Sequence, residues 1–202
     1  MDITIRKMEP DDWSVVIEIY IQGVQSNKAT FNNACPSFAE WDAAHTPNCR
    51  FVAEVDGEVV GWAALTPVSA RECFRGVAED SIYVSESFTG QGVGKKLLTA
   101  LVEDSEKEGY WTVQAQIFQT NVKSLALHKK CGFREIGYRE RIAKDRQGNW
   151  QNTVLVEHRI TSDIGVGCDC AAAKAYERER EAHEDEIRLE LGFVPHIKKA
   201  AK

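Results

Sequence analysis

VAEDSIYVSESFTGQGVGKKLLTALVEDSEKEG, residues 77–109, runs a strand, a glycine loop and a long helix together. Val77 to Val84 reads as a strand, and Leu97, Leu98, Leu101 and Val102 fall at helical spacing on one apolar stripe. Between them, Thr89-Gly-Gln-Gly-Val-Gly94 feeds directly into the helix. Its backbone N–H groups and the helix N-terminus together form an anion cradle, for which phosphate is the natural guest. The same glycines serve equally as a close turn for packing. The GxxxxGK[ST] spacing of a P-loop is absent, and the strand before the loop is the fourth rather than the first, unlike a dinucleotide fold.

Working outward, Ile3 to Lys7 alternates apolar and polar and stops at Glu9-Pro10-Asp11-Asp12, a short strand followed by a helix start. That helix carries Trp13, Val16, Ile17, Ile19 and Tyr20. After a polar stretch, Pro36-Ser37 opens a second helix, FAEWDAAH, capped by Ser37. RFVAEV, Asp56-Gly57 and EVVGWAAL form the clearest hairpin, because glycine accepts the positive φ of a tight primed turn. Beyond the glycine loop, TVQAQIF reads as a strand and SLALHKKCGF as a short helix from Ser124 that ends at Gly132. Two strands joined at Gln147-Gly148-Asn149 complete the pattern. The order β-α-α-β-β-β-α-β-α-β-β predicts a mixed α/β sheet with helices on both faces, over about 160 residues.

The chain has 202 residues, 43% hydrophobic and 28% charged, enough for a sizeable core and unlike a disordered chain. Its net charge of -6 gives no global basic field, so nucleic acid is not an expected partner. No run of about 18 apolar residues occurs and MDITIRKMEPDDW lacks a long apolar stretch, so no membrane association and a cytoplasmic location are expected. Six cysteines are scattered without a CxxC pair; Cys168 and Cys170 are read as part of a solvated turn, and no metal is expected. From Asp163 onward the composition shifts to a small glycine-rich joint and a charged helix former. This sets a domain over residues 1–160 and a charged, helical extension over 161–202.

The strand end Ile82-Tyr83-Val84, the loop Thr89–Gly94 and Asn121-x-x-Ser124-x-x-x-His128-x-x-x-Gly132-Phe133 together resemble the GNAT superfamily of N-acetyltransferases. ATF at Ala29–Phe31, Glu40-Trp41, FVAEVDGEVVGWA, TPVSAR, AEDSIYV and GNW at Gly148–Trp150 look like its phosphinothricin and methionine sulfoximine N-acetyltransferase branch. The match runs from about Ile3 to His158, nearly four fifths of the chain. It implies a GNAT fold, a mostly antiparallel twisted sheet of about seven strands flanked by about four helices. It also implies acetyl-coenzyme A as co-substrate, with the pyrophosphate held by Thr89, Gly90, Gln91, Gly92, Val93, Gly94 and Lys95. Two departures stand out: Thr89 replaces the Gln or Arg that usually begins the loop, and the tail beyond Thr161 has no counterpart.

Acetyl transfer from a thioester to an amine needs a neutral amine, a polarised carbonyl and a protonated thiol leaving group. The resemblance assigns Glu79 as general base and His128 as the group facing the departing sulfur. Main chain near Ile82, Tyr83 and Val84 binds the thioester, and Asn121 and Ser124 contact the cofactor. Thr30, Phe31, Arg71 and Phe74 match substrate-side positions, and Arg71 suits a carboxylate or phosphinate. Arg75 stands where the herbicide-resistance proteins carry an acidic residue. The expected reaction acetylates the α-amine of a small amino-acid analogue of the phosphinothricin, methionine sulfoximine or methionine sulfone type, in a homodimer. The alternatives are a peptide or protein acceptor and a non-catalytic acyl-coenzyme A sensor.

Overall fold

The computed structural model describes residues 1–159 together with Arg178 and Ala182. The chain divides into two units, Met1–Ser162 and Asp163–Lys202. Arg178 and Ala182 of the second unit are helical and exposed. The remainder of the expected extension, with Cys168 and Cys170, lies outside the described residues.

Residues 1–159 form the eleven elements in the predicted order: β1 (Thr4–Lys7), α1 (Trp13–Gln25), α2 (Phe38–Ala44), β2 (Arg50–Val55), β3 (Glu58–Pro67), β4 (Val77–Val84), α3 (Val93–Lys107), β5 (Thr112–Phe118), α4 (Val122–Lys130), β6 (Arg134–Lys144) and β7 (Trp150–Arg159). Local chemistry sets several boundaries. Asp56 and Gly57 both take positive φ, 53° and 84°, as a primed turn between β2 and β3 demands. Ser37 and Glu40 form a reciprocal capping box at the start of α2. Helix α4 begins two residues before the predicted Ser124, because the Asn121 side chain accepts a hydrogen bond from the Ser124 N–H at 3.2 Å and acts as N-cap. Gly132, at φ 86°, follows its end.

The seven strands make one sheet in the order β1-β2-β3-β4-β5-β7-β6. Every neighbouring pair is antiparallel except β4 and β5. β3 lies at the centre of the packing, and Val60–Leu65 are buried without a break. Ala63 and Leu65 pack with Leu97, Leu98 and Leu101 of α3, whereas Trp62 and Ala64 pack with Val16, Ile19 and Tyr20 of α1 and Trp41 of α2. Gly61 lets α3 approach: a Cβ there would stand 3.0 Å from the Tyr83 carbonyl oxygen and 3.1 Å from Leu97.

One irregularity positions the site. The parallel pairing of β4 and β5 spans only Val77–Glu79 against Thr112–Gln114. From Asp80 onward β4 pairs with β3 alone, while the second half of β5 pairs with β7. The sheet is split there, and strand-end backbone faces the gap.

Candidate active site

A cavity of about 760 Å³ opens at this split. Glu79 to Tyr83 of β4 and Ala115 to Phe118 of β5 form its walls. Thr30, Phe31 and the first helices cover one side, and Asn121, Ser124 and His128 close the other. Strand alternation gives β4 two chemistries. Ala78, Ile82 and Val84 belong to the α3 face, and Tyr83 belongs to the α1 face. Glu79 and Asp80, as consecutive strand residues, therefore project to opposite faces.

Glu79 is half-buried and accepts a hydrogen bond from Gln114 Nε2 at 3.3 Å. Burial pushes its carboxyl above the ordinary value; the Gln114 bond opposes this, and the adjacent Asp80 charge adds to it. A carboxylate shifted toward neutral pH, inside a cavity, is suited to taking a proton from an incoming amine.

Asp80 meets His128 in the interior. Asp80 Oδ1 stands 3.2 Å from His128 Nε2, and both side chains are 1% exposed. His128 Nδ1 donates to the Ser124 carbonyl oxygen at 2.8 Å, with the Ser124 hydroxyl at 3.3 Å. Burial alone would lower the His128 pKa. The hydrogen bond and charge of Asp80, with the Ser124 carbonyl, outweigh burial and hold the pKa above its ordinary value.

The glycine loop follows β4, and none of its residues lines the cavity. Gly90 and Gly92 take φ of 82° and 91°, which L-residues rarely adopt, and a Cβ at either would meet nothing of the protein within 4 Å. Gly92 is the N-cap of α3, and Lys96 N donates to its carbonyl at 3.2 Å. The N–H groups of the preceding first turn have no acceptor within the helix. Val93 is buried, so it offers only its main chain, while Lys95 is exposed. Gly94 keeps α3 close to α4, since a Cβ there would be 3.1 Å from Leu127. The Thr89 hydroxyl donates back to Ser85 O at 3.5 Å, and Gln91 Nε2 donates to Ser87 O at 2.8 Å.

Of the residues expected from sequence, Thr30, Phe31, Glu79, Ile82, Tyr83, Asn121, Ser124 and His128 share the cavity. Phe31 packs on Phe118 with ring centroids 4.4 Å apart. Tyr83 stacks on Trp62 at 4.9 Å, and burial raises the pKa of its phenol. Asn121 Nδ2 also donates to Lys28 O at 3.2 Å, tying the Thr30 loop to α4. Arg71 and Phe74 do not line the cavity. Both are exposed beside the turn Glu72–Phe74, with the Arg71 guanidinium 5.5 Å from the Phe74 ring. Sequence reading missed Asp80 and the aromatic wall of Tyr20, Trp41 and Trp62. The position of Asp80, two residues from buried Ala78 on an alternating strand, was the available signal for a buried acid in need of a partner. Among the described residues, no group of three or more His, Cys, Asp or Glu side chains could hold a metal. No described helix is long and apolar enough to cross a membrane.

The sheet split between β4 and β5 is the setting in which the likeness to known proteins is read. The model of the acetyltransferase (GNAT) family matches residues 13–133. The chain belongs to that family. Among GNAT relatives, the phosphinothricin N-acetyltransferase of Alcaligenes faecalis is 31% identical over 167 residues, covering 79% of this chain and 83% of that protein. The L-methionine sulfoximine/L-methionine sulfone acetyltransferase of Pseudomonas aeruginosa is 28% identical, over 78% of this chain and 94% of that one. The crystal structure of a GNAT superfamily phosphinothricin acetyltransferase from Sinorhizobium meliloti, in complex with acetyl-coenzyme A, matches with a TM-score of 0.73 at 30% identity. That likeness covers 84% of this chain and 97% of the other. The GNAT assignment makes this protein an acetyltransferase, related to enzymes named for phosphinothricin and methionine sulfoximine.

Proposed function

We propose that this acetyltransferase moves an acetyl group from acetyl-coenzyme A to the α-amine of a small amino-acid analogue of the phosphinothricin, methionine sulfoximine or methionine sulfone type. The observation that carries the reading is Glu79, a carboxylate with a raised pKa inside the cavity where the sheet splits. Acetyl-coenzyme A supplies the acyl group as a thioester. The residues fit such a ligand: Gly90 and Gly92 leave the loop face open, and the first-turn N–H groups of α3 point to where a pyrophosphate would sit. Thr89 brings no positive charge there, so backbone donors from Gly90 to Lys95 carry most of the grip. Main chain at Ile82–Val84, freed from β5, holds the pantetheine arm and polarises the carbonyl, while Asn121 and Ser124 line its path. Glu79 takes the proton of the attacking amine, directly or through one water, and His128 faces the leaving sulfur.

Thr30 and Phe31 bound the acceptor side of the cavity. Arg71 and Phe74 lie outside the cavity of their own chain, so their proposed share in substrate binding requires movement of the 68–76 connection or the cavity of a second subunit. A homodimer in the cytoplasm completes the reading, and light scattering tests the dimer.

The deciding experiment incubates the protein with acetyl-coenzyme A and phosphinothricin, methionine sulfoximine, methionine sulfone and ordinary amino acids, and reads product by mass spectrometry. Acetylated sulfone, sulfoximine or phosphinate compounds, lost in Glu79→Gln, support the reading. Silence across the panel despite measured cofactor binding overturns it in favour of a peptide acceptor or an acyl-coenzyme A sensor.

A further inference from the structure

The Asp80–His128 pair raises a question of proton count that geometry answers. A carbonyl oxygen only accepts, so the 2.8 Å contact of His128 Nδ1 with Ser124 O requires a hydrogen on Nδ1. Were the ring neutral, Nε2 would then be a bare acceptor, 3.2 Å from Asp80 Oδ1, itself a bare acceptor when ionised. Two lone pairs cannot face each other in a site this dry, so a proton must lie between them. The other neutral tautomer, with hydrogen on Nε2, would set Nδ1 against the Ser124 carbonyl at 2.8 Å. With Asp80 ionised, only a ring protonated on both nitrogens satisfies both contacts; a proton on Asp80 Oδ1 beside a neutral ring would satisfy them too, but imidazole is the more basic group, so the ring holds the proton. Asp80 Oδ2 is buried and has no hydrogen-bond partner among the described residues, so the neighbouring cation is what compensates its charge.

We infer that Asp80 is a positioning residue that holds His128 as a doubly protonated imidazolium, so that the pair enters each turnover already carrying the proton the departing sulfur receives. This rests on the reading in which His128 faces the leaving thiol. In the balanced step, the amine nitrogen bonds to the acetyl carbon as the carbon–sulfur bond breaks. The surplus amine proton passes to Glu79, and the sulfur takes the Nε2 proton of His128 as that N–H turns from Asp80 Oδ1, a longer contact than that of Nδ1 with Ser124 O. One proton is gained on Glu79 and one lost from the pair; exchange with solvent through the cavity mouth restores both. The groups facing the pair are few. From β4 there is Glu79, across the strand; from α4, Ser124; from the end of α4, Cys131, which feels the Asp80 charge and that of Lys95 on α3; and from beyond Gly132, the edge of the Phe133 ring at 4.9 Å. Among the described residues, Asp80 supplies the one hydrogen-bonding anion.

Histidine-labelled protein without ligand, followed by ¹⁵N NMR from pH 5 to 10, tests the inference apart from activity. His128→Gln assigns the resonance among the five histidines. The expected wild-type signature is hydrogen on both ring nitrogens at pH 7, persisting above the ordinary titration range. Asp80→Asn should move the titration down by about 1–3 pH units and move the alkaline limb of kcat with it, while acetyl-coenzyme A affinity stays unchanged. A wild-type ring that is neutral at pH 7, or a titration that Asp80→Asn leaves in place, overturns the inference. The wild-type spectrum alone decides if the variant does not fold. Persistence of the imidazolium alongside silence over the whole acceptor panel would support the ion pair and count against the small amino-acid acceptor, so the two failures are distinguishable.

Discussion

Glu79 carries a conflict between stability and chemistry. Its pKa is higher in the fold than in the unfolded chain, so the folded protein loses stability as pH rises from the unfolded value of 4.5 through the raised one. Glu79→Gln removes that penalty and keeps a side-chain amide beside Gln114. The variant should therefore melt no lower than wild type at pH 7, and higher if burial dominates, while kcat falls by about 10²–10⁴-fold. Calorimetry and turnover on the same preparation check both halves. A variant that both melts lower and loses activity would make Glu79 a structural residue. The acid limb of wild-type kcat/KM should lie above pH 4.5 for the same reason. His128 has the same sign of linkage: its raised pKa stabilises the fold below the ordinary 6.5, and that contribution fades as pH rises through the folded value. A fall in melting temperature on the alkaline side, absent in His128→Gln, is the expected readout.

At the level of elements, the loop before α3 gives a prediction with an internal control. Gly92 and Gly57 both have positive φ and open space where a Cβ would point. Alanine at either should cost about 1–2 kcal/mol of stability through backbone strain alone. Only Gly92→Ala should also weaken acetyl-coenzyme A binding, measured by titration calorimetry, because only there does the proposed reading bring the pyrophosphate to the backbone. Equal affinities in the two variants would remove the loop from the binding site. What was readable in the sequence follows from the range of the interactions. The β2–β3 hairpin and the caps of α2 and α3 are decided within a few residues, so Asp56-Gly57, Ser37 and the glycine run announce them. Helix α4 starts earlier than its sequence pattern indicates because Asn121 caps across Val122 and Lys123, which carry no helix-start signal of their own. The split between β4 and β5 depends on how many residues of one strand find partners in another, and the Asp80–His128 contact joins residues 48 apart. Neither leaves a local mark. Glu79 and His128 were found only because neighbouring motifs resemble a family, while Arg71 and Phe74, assigned by the same route, stand away from the cavity.

Across the whole molecule, burial concentrates on a strand covered from both sides. Leu65 is fully buried against α3, and Leu65→Ala should cost about 2–5 kcal/mol in denaturant unfolding. Trp62, on the opposite face, packs against Tyr83 at the edge of the cavity. Trp62→Phe should therefore raise KM for the acceptor as well as lower stability. A loss confined to stability would confine Trp62 to the core.

The pleat of β4 has a consequence for how this sequence can drift. Because neighbouring side chains leave a strand on opposite sides, the dipeptide Glu79-Asp80 would, in the proposed reaction, apportion proton acceptance and proton donation to the two faces of the sheet, separated by one peptide plane. Loops around it can lengthen freely. A deletion of one residue at Val77 or Ala78 that slid the strand would exchange the two faces, turning each carboxylate toward the other's partner. Such a frame error would also carry Ile82 and Val84 off the α3 face and Tyr83 off the α1 face, so packing and turnover would fail together.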